Sequence, residues 1–297
     1  MIKRTVFFST PGKLSISNRL LCWESQERGK ATMPLEDIGF MVIESQQILI
    51  TSYCLNAIAE NGIALVVCDG SHTPSAQLLP YTANTLTQKY VTAQVEATDA
   101  LKARLWRQTV RQKIKNQASC LKHLKLPYIR MNEIAKTIKS DDAENAEAVA
   151  ARYYFKQLAQ LEDNYLRGND ELAINSALNY GYAIIRAAVA RALIGSGLMC
   201  IFGIHHANQY NAFGLADDIM EPYRPFVDEL VFSDVETFRK GELDMPKKAI
   251  LLGMLAMDVK IGNEKRPLMT SLSYTTASLV RCFLKEESEI SFPEFVK

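Results

Sequence analysis

The chain has 297 residues, long enough for two domains or one large one and for a sizeable core. Lysine and arginine total 34 against 33 aspartates and glutamates, so the formal net charge is only +1 and overall charge names no partner. Apolar residues at 48% and charged residues at 23% are ordinary for a soluble globular protein. The charge is unevenly spread, however. Residues 1–80 hold 6 basic and 7 acidic side chains, residues 81–132 hold 10 and 2, and residues 133–297 hold 18 and 24.

The first eighty residues read as strands. RTVFFS, KLSIS, RLLCWE and GFMVIES are short, rich in β-branched and aromatic residues, and separated by turn formers such as Pro11-Gly12 and Asn18. ITSYCLNAIAENG changes period: Tyr53, Leu55, Ile58 and Ala59 suit one helical face, and Asn61-Gly62 stops the helix. IALVVCDG is a further buried strand and AQLLP a candidate for another. LPYTAN, from Leu79 to Asn84, reads as a connector.

From Thr85 the pattern is helical. One long helix is expected from about Thr85 to Gln117, then helices over about Asn132–Thr137, Asp142–Leu166, Asp170–Leu193, Ala216–Val231 and Lys247–Ile261, with SLSYTTASLVRCFLKEE last. Gly195, Gly197, Pro246 and Pro267 punctuate them. The expected class is α+β: a small N-terminal β domain with one crossover helix (residues 1–80), then a larger all-α domain (residues 81–297).

Some chemistry is excluded. Cys22, Cys54, Cys68, Cys120, Cys200 and Cys282 form no C-x-x-C pair, which argues against structural zinc and for reduced core thiols in a cytoplasmic protein. The N-terminal apolar run is too short for a signal peptide. LNYGYAIIRAAVARALIGSGL is broken by Arg186 and Arg191, so it reads as a buried helix and no membrane span is needed.

Three stretches carry chemistry. Between Asp99 and Glu133 there is no acid, while Lys102, Arg104, Arg107, Arg111, Lys113, Lys115, Lys122, Lys125 and Arg130 all fall there. Arg104, Arg107 and Arg111 share a helix face at i, i+3, i+7, and Lys115 extends the row. Like charges at this spacing repel, which points to an external anion such as a phosphate backbone. The alternative is a solvated face that pairs with the acidic C-terminal part or docks an acidic protein. In SDDAENAEAVAARYYF, Asp141 and Glu144 resemble a capping box. Glu147 then lies about one turn further in, beyond the dipole's reach, on a face with Ala150, Ala151 and Tyr154. Such a carboxylate needs a cation, a metal or a hydrogen-bond network, unless it is exposed or paired with Arg152 or Arg186. In GIHHANQYNAFGLADDIMEPYRP, Asp218 and Glu221 are three apart, and Pro222 predicts a bend at Glu221. His206 precedes Glu221 by fifteen residues. One imidazole with two or three carboxylates suits Mg²⁺ or Mn²⁺ better than zinc, although each residue alone has a structural explanation.

IESQQILITSYCLNAIAENGIALVVCDGSHTPSAQLLP, AEAVAARYYF and GIHHANQYNAFGLADDIMEPYRPFVDELVF together resemble the CRISPR-associated integrase, in the form that accompanies single-effector (type II) systems. The resemblance runs in matching order over nearly the whole chain. It implies a homodimer, with residues 1–80 as the dimerisation domain and residues 81–297 as the catalytic and DNA-binding domain. Its partners would be double-stranded DNA, as both captured fragment and repeat array, and a small second adaptation subunit, with the effector nuclease and further adaptation factors left open. It also implies a metal triad of Glu147, His206 and Glu221 that serves catalysis. The G-x-x-H spacing from Gly203 selects His206 over His205, which is left as a structural or supporting residue. Many family members carry Asp where this chain has Glu221, and the extra methylene alters metal distance. Asp218 resembles an acid that assists the metal. Arg224 is placed either to offset phosphate charge or to form a salt bridge. The implied reaction is a transesterification in which the fragment's 3′-hydroxyl attacks a phosphodiester at the repeat boundary, aided by Mg²⁺ or Mn²⁺. The alternative is a nuclease or junction resolvase using water at the same site. Arg104, Arg107, Arg111 and Lys115, with the rest of the basic block, become backbone contacts.

Overall fold

The computed structural model describes residues 3–80, 83–138, 145–162, 165–168, 172–206 and 208–296. The chain divides into two compact units, Met1–Thr85 and Leu86–Lys297.

In the first unit, β1 (Arg4–Phe8), β2 (Gly12–Ser17), β3 (Leu20–Ser25), β4 (Gly29–Pro34), β5 (Ile38–Ile43) and β6 (Ile48–Ile50) lead into α1 (Ser52–Glu60), followed by β7 (Ala64–Cys68) and β8 (Pro74–Leu78). Two four-stranded sheets result, ordered β1-β5-β7-β8 and β4-β3-β2-β6. β5 runs parallel to both β1 and β7, so the chain must cross over between β5 and β7, and α1 lies on that crossover. All six residues of β5 are buried, as a central strand covered on both faces requires. Leu14, Leu21, Ile38, Met41, Leu65, Cys54 and Ile58 form the core of the unit.

Thr51 caps α1 by accepting a hydrogen bond from Cys54 N at 3.2 Å, and Gly62 ends it with φ +61°. The buried face is Cys54, Ala57 and Ile58, whereas Tyr53 stands 66% exposed, so the Tyr53-centred face expected from periodicity is corrected by about one position. The sequence reading omitted β4 and β6. β4 is exposed at five of its six residues, so it carries no apolar alternation to read.

The second unit comprises α2 (Thr87–Val95), α3 (Asp99–His123), α4 (Ile129–Thr137), α5 (Ala146–Leu158), α6 (Ala173–Gly195), α7 (Gly214–Met220), a 3₁₀ turn (Glu221–Tyr223), α8 (Arg224–Ser233), α9 (Val235–Phe238), α10 (Met245–Gly253), β9 (Asp258–Ile261), β10 (Glu264–Pro267) and α11 (Leu268–Phe283). The single helix expected from Thr85 to Gln117 is two helices. Thr98 is extended and its hydroxyl accepts from Leu101 N at 3.3 Å, so a fresh N-cap interrupts the run, and α3 continues past Gln117 to His123. The helix expected over Lys247–Ile261 ends at Gly253, and its last residues form a hairpin with β10 turning at Gly262, φ +57°. The 3₁₀ turn at Glu221 coincides with the bend that Pro222 predicts. The expected Asp141–Glu144 capping box and the expected helix starts at Asp142 and Asp170 lie outside the described residues. α6 is largely buried, and among the described residues no helix is long and apolar enough to cross a membrane. Five of the six cysteines are buried, Cys22 is half-buried, and all six are free.

Candidate active site

α3 presents two opposite faces. Arg104, Arg107, Arg111 and Lys115 are all exposed along one side. At about 100° per residue, Lys113 falls roughly half a turn from that row. There it joins Trp106, Val110, Ile114 and Gln117, all of them buried. The assignment of Lys113 to a duplex-contacting block is therefore corrected: its side chain is only 12% exposed.

Lys113 Nζ lies 2.5 Å from Glu147 Oε1 and 2.5 Å from Glu221 Oε2. The two carboxylates come from separate elements, Glu147 from α5 and Glu221 from the 3₁₀ turn after α7. The described helix α5 begins at Ala146, so Glu147 sits in its first turn, where the helix dipole favours a carboxylate. That corrects its expected place further inside the helix, and its cation is Lys113 rather than Arg152 or Arg186. Glu221 is buried. Arg224 donates from Nε to its Oε1 at 2.8 Å, while Oε2 is shut off from solvent and, among the described residues, faces no donor but the Lys113 ammonium. Burial would raise the Glu221 carboxyl pKa, but Lys113 and Arg224 outweigh it and hold the group below the ordinary carboxylate range. Burial likewise depresses the Lys113 ammonium, and Glu221 and Glu147 outweigh that and raise it. Arg224 also lies 4.7 Å from the centroid of the Tyr182 ring, so its observed role is to hold Glu221 in place.

The histidine loop is built around Asp218, which is fully buried on α7. Asp218 Oδ2 accepts from Ile204 N at 2.7 Å and His205 N at 3.0 Å, and Oδ1 accepts from His206 N at 3.2 Å and lies 2.5 Å from His206 Nδ1. This bond raises the His206 pKa, with burial opposing and Glu221 and Asp217 adding to the rise. A proton held on Nδ1 leaves the Nε2 lone pair as the imidazole's outward function, the arrangement by which a carboxylate orients a metal-binding histidine. Gly203 is required by close approach: a Cβ there would stand 2.5 Å from His206 O and 2.9 Å from Asp218 Oδ2. Trp106 stacks flat on His205 at 4.2 Å and meets His206 edge-on at 5.6 Å. Gln94 of α2 clamps the preceding segment through Met199 N, Met199 O and Phe202 O.

Of the expected metal ligands, the structure brings Glu147 and Glu221 together on one cation. Among the described residues, no three His, Cys, Asp or Glu side chains are gathered round one ion's position. The reason is visible: the Lys113 ammonium lies between the glutamates, while His206 is turned to Asp218. The donor set still fits a hard divalent ion. It consists of two carboxylates already holding one positive charge, one of their oxygens buried, and an imidazole whose orientation is fixed. Sequence reasoning missed the roles of Lys113, Trp106 and Gln94. For Lys113 a signal existed, in its half-turn offset from the arginine row.

Oxygen ligands held near one cation, an oriented imidazole and an exposed basic helix face form a set of groups suited to phosphodiester chemistry. A family model described as CRISPR associated protein Cas1 matches residues 6–252. The chain belongs to this family. It is 36% identical over 301 residues to the CRISPR-associated endonuclease Cas1 of Neisseria meningitidis serogroup C (strain 8013), covering 100% of this chain and 97% of that protein. In fold it is similar to a casposase bound to integration product, with TM-score 0.80, 16% identity and coverage of 98% and 92%. It is also similar to the Cas6-RT-Cas1–Cas2 complex, with TM-score 0.72, 15% identity, 97% of this chain and 35% of that one.

Proposed function

We propose that this chain joins a captured DNA fragment to a CRISPR repeat array by divalent-metal-dependent transesterification. The observation that carries this reading is the convergence of Glu147 and Glu221, from different elements, on a single cation position. The likeness to a casposase bound to integration product and the full-length likeness to a Cas1 endonuclease support the same chemistry. Glu147, Glu221 and His206 through Nε2 would hold the ion. When bound, Mg²⁺ or Mn²⁺ supplies positive charge that lowers the pKa of an attacking hydroxyl and stabilises the leaving oxygen.

The chain's own groups do the rest. Asp218 fixes the imidazole, Arg224 holds Glu221, and the row Arg104, Arg107, Arg111 and Lys115 binds duplex backbone. The fragment's 3′-oxygen bonds to phosphorus as its proton passes to solvent, the bond from phosphorus to the array's 3′-oxygen breaks, and that oxygen takes up a proton to become a new 3′-hydroxyl. One phosphodiester replaces another, so no nucleotide energy source enters. The working form in this reading is a homodimer acting in a prokaryotic cytoplasm with a small second adaptation subunit, and the likeness to the Cas6-RT-Cas1–Cas2 complex supports a second protein as partner.

The test incubates the protein with the small subunit, Mn²⁺, a fragment with free 3′-hydroxyls and a repeat-bearing plasmid. Joined product is expected from the wild type. Glu147→Ala, His206→Ala and Glu221→Ala should each abolish joining while leaving DNA binding intact; full joining by all three would overturn the site. The name of the meningococcal relative also favours a nuclease reading in which water attacks instead. Cleavage without any joined product would establish that alternative.

A further inference from the structure

We propose that Lys113 is a built-in placeholder: its ammonium keeps Glu147 and Glu221 together while no divalent ion is bound, and the ion that enters must displace it. The inference rests on the metal-dependent reading above and assigns a positioning role to a residue outside the expected triad.

The geometry points to it in three ways. First, Nζ makes two equal 2.5 Å contacts, one to each glutamate, so a single cationic atom already holds both carboxylates. Second, position 113 is on the inward face of α3, among the buried Thr109, Val110, Asn116 and Gln117 and away from the exposed arginine row. A lysine there costs desolvation that only its two acidic partners offset. Third, without the ammonium, two carboxylates, one of them buried, would face each other with like charge, and Arg224 reaches only Glu221 Oε1. An ion of charge two outcompetes one of charge one for the same pair of anions, and a flexible four-carbon stem lets the ammonium withdraw without unfolding the helix.

The experiment uses the full-length protein and reads metal binding and stability rather than activity. Free Mn²⁺ is followed by its paramagnetic resonance signal during titration, and thermal unfolding is measured in EDTA. Lys113→Met should bind Mn²⁺ at least tenfold more tightly than the wild type, because no internal cation competes. In EDTA it should melt below the wild type, and adding Glu147→Gln should recover most of that loss. Lys115→Met, an exposed charge on the same helix, should match the wild type in both measurements. Unchanged or weaker Mn²⁺ affinity in Lys113→Met, with wild-type binding abolished by Glu147→Gln, overturns the placeholder and leaves the metal site standing. Wild-type Mn²⁺ binding that is indifferent to Glu147→Gln overturns both. Should Lys113→Met not fold, amine labelling of the wild type decides: Lys113 protected in EDTA and labelled on Mn²⁺ addition supports displacement, and equal protection in both conditions refutes it.

Discussion

At the scale of single residues, charge burial divides into two kinds. Glu221 is buried with its countercharges, and its pKa falls. Among the described residues Asp228 is buried with no cation in ion-pair contact, Arg167 and Arg224 acting only from further off: Tyr154 donates to Oδ2 at 2.8 Å and Tyr182 donates to Oδ1. Desolvation exceeds what those hydroxyls return and lifts its pKa from 3.8 to about 6. The folded protein therefore holds a proton on Asp228 between about pH 4 and 6 that the unfolded chain has released. Its contribution to stability is greatest below that window, declines as pH rises through it, and is constant above. The full loss is roughly 3 kcal/mol. Asp228→Asn should remove this term. One hydroxyl can donate to the amide oxygen, and Tyr154 has Cys120 Sγ at 3.1 Å as a second acceptor. Urea unfolding at pH 4.5 and pH 8 checks it: the variant's stability relative to wild type should improve by about 2 kcal/mol toward pH 8. A pH-independent difference would mean that Asp228 titrates normally.

At the scale of elements, α3 organises the site, and its start is local chemistry. Thr98 supplies a side-chain cap to its first turn, so Thr98→Ala should cost about 1 kcal/mol in chemical unfolding while leaving the DNA binding proposed for the exposed basic row unchanged. A loss below about 0.3 kcal/mol would show that packing rather than the cap sets the helix start. The same helix shows what the sequence made legible. The exposed row from Arg104 to Lys115 follows from spacing alone, because solvent-facing charge needs no partner to be recognised. The inward role of Lys113 does not: among nine bases it looks like one more, and its partners are 34 and 108 positions away. The bend at Pro222 was readable because proline acts on its own backbone. The hairpin Asp258–Pro267 was not, because Val259 and Ile261 continue an apolar helical run, and only Gly262-Asn263 marks a turn. β4 was hidden by its exposure.

At the scale of the whole molecule, a net charge of +1 gives the protein little long-range attraction for a polyanion. Any salt-sensitive affinity for duplex DNA must then come from local concentration of charge, and residues 81–132 hold 10 bases against 2 acids. One of those bases, Lys113, is turned inward and neutralised by two glutamates, so it is withdrawn from the surface. Under the proposed function the remainder would act through an exposed row on one helix, tracking phosphates without reading bases. Each phosphate neutralised contributes about 0.9 to the slope of log affinity against log salt. Arg107→Glu with Arg111→Glu should therefore weaken binding to unrelated duplexes alike and flatten that slope by roughly 2. Both positions are solvent-exposed and half a turn from the glutamate pair, so Mn²⁺ affinity should stay at the wild-type value. A salt titration of binding to two unrelated duplexes, with Mn²⁺ titration alongside, makes the comparison. An unchanged slope would move the DNA surface off α3 altogether, whereas a flattened slope with altered Mn²⁺ affinity would mean that the two faces of the helix do not act independently.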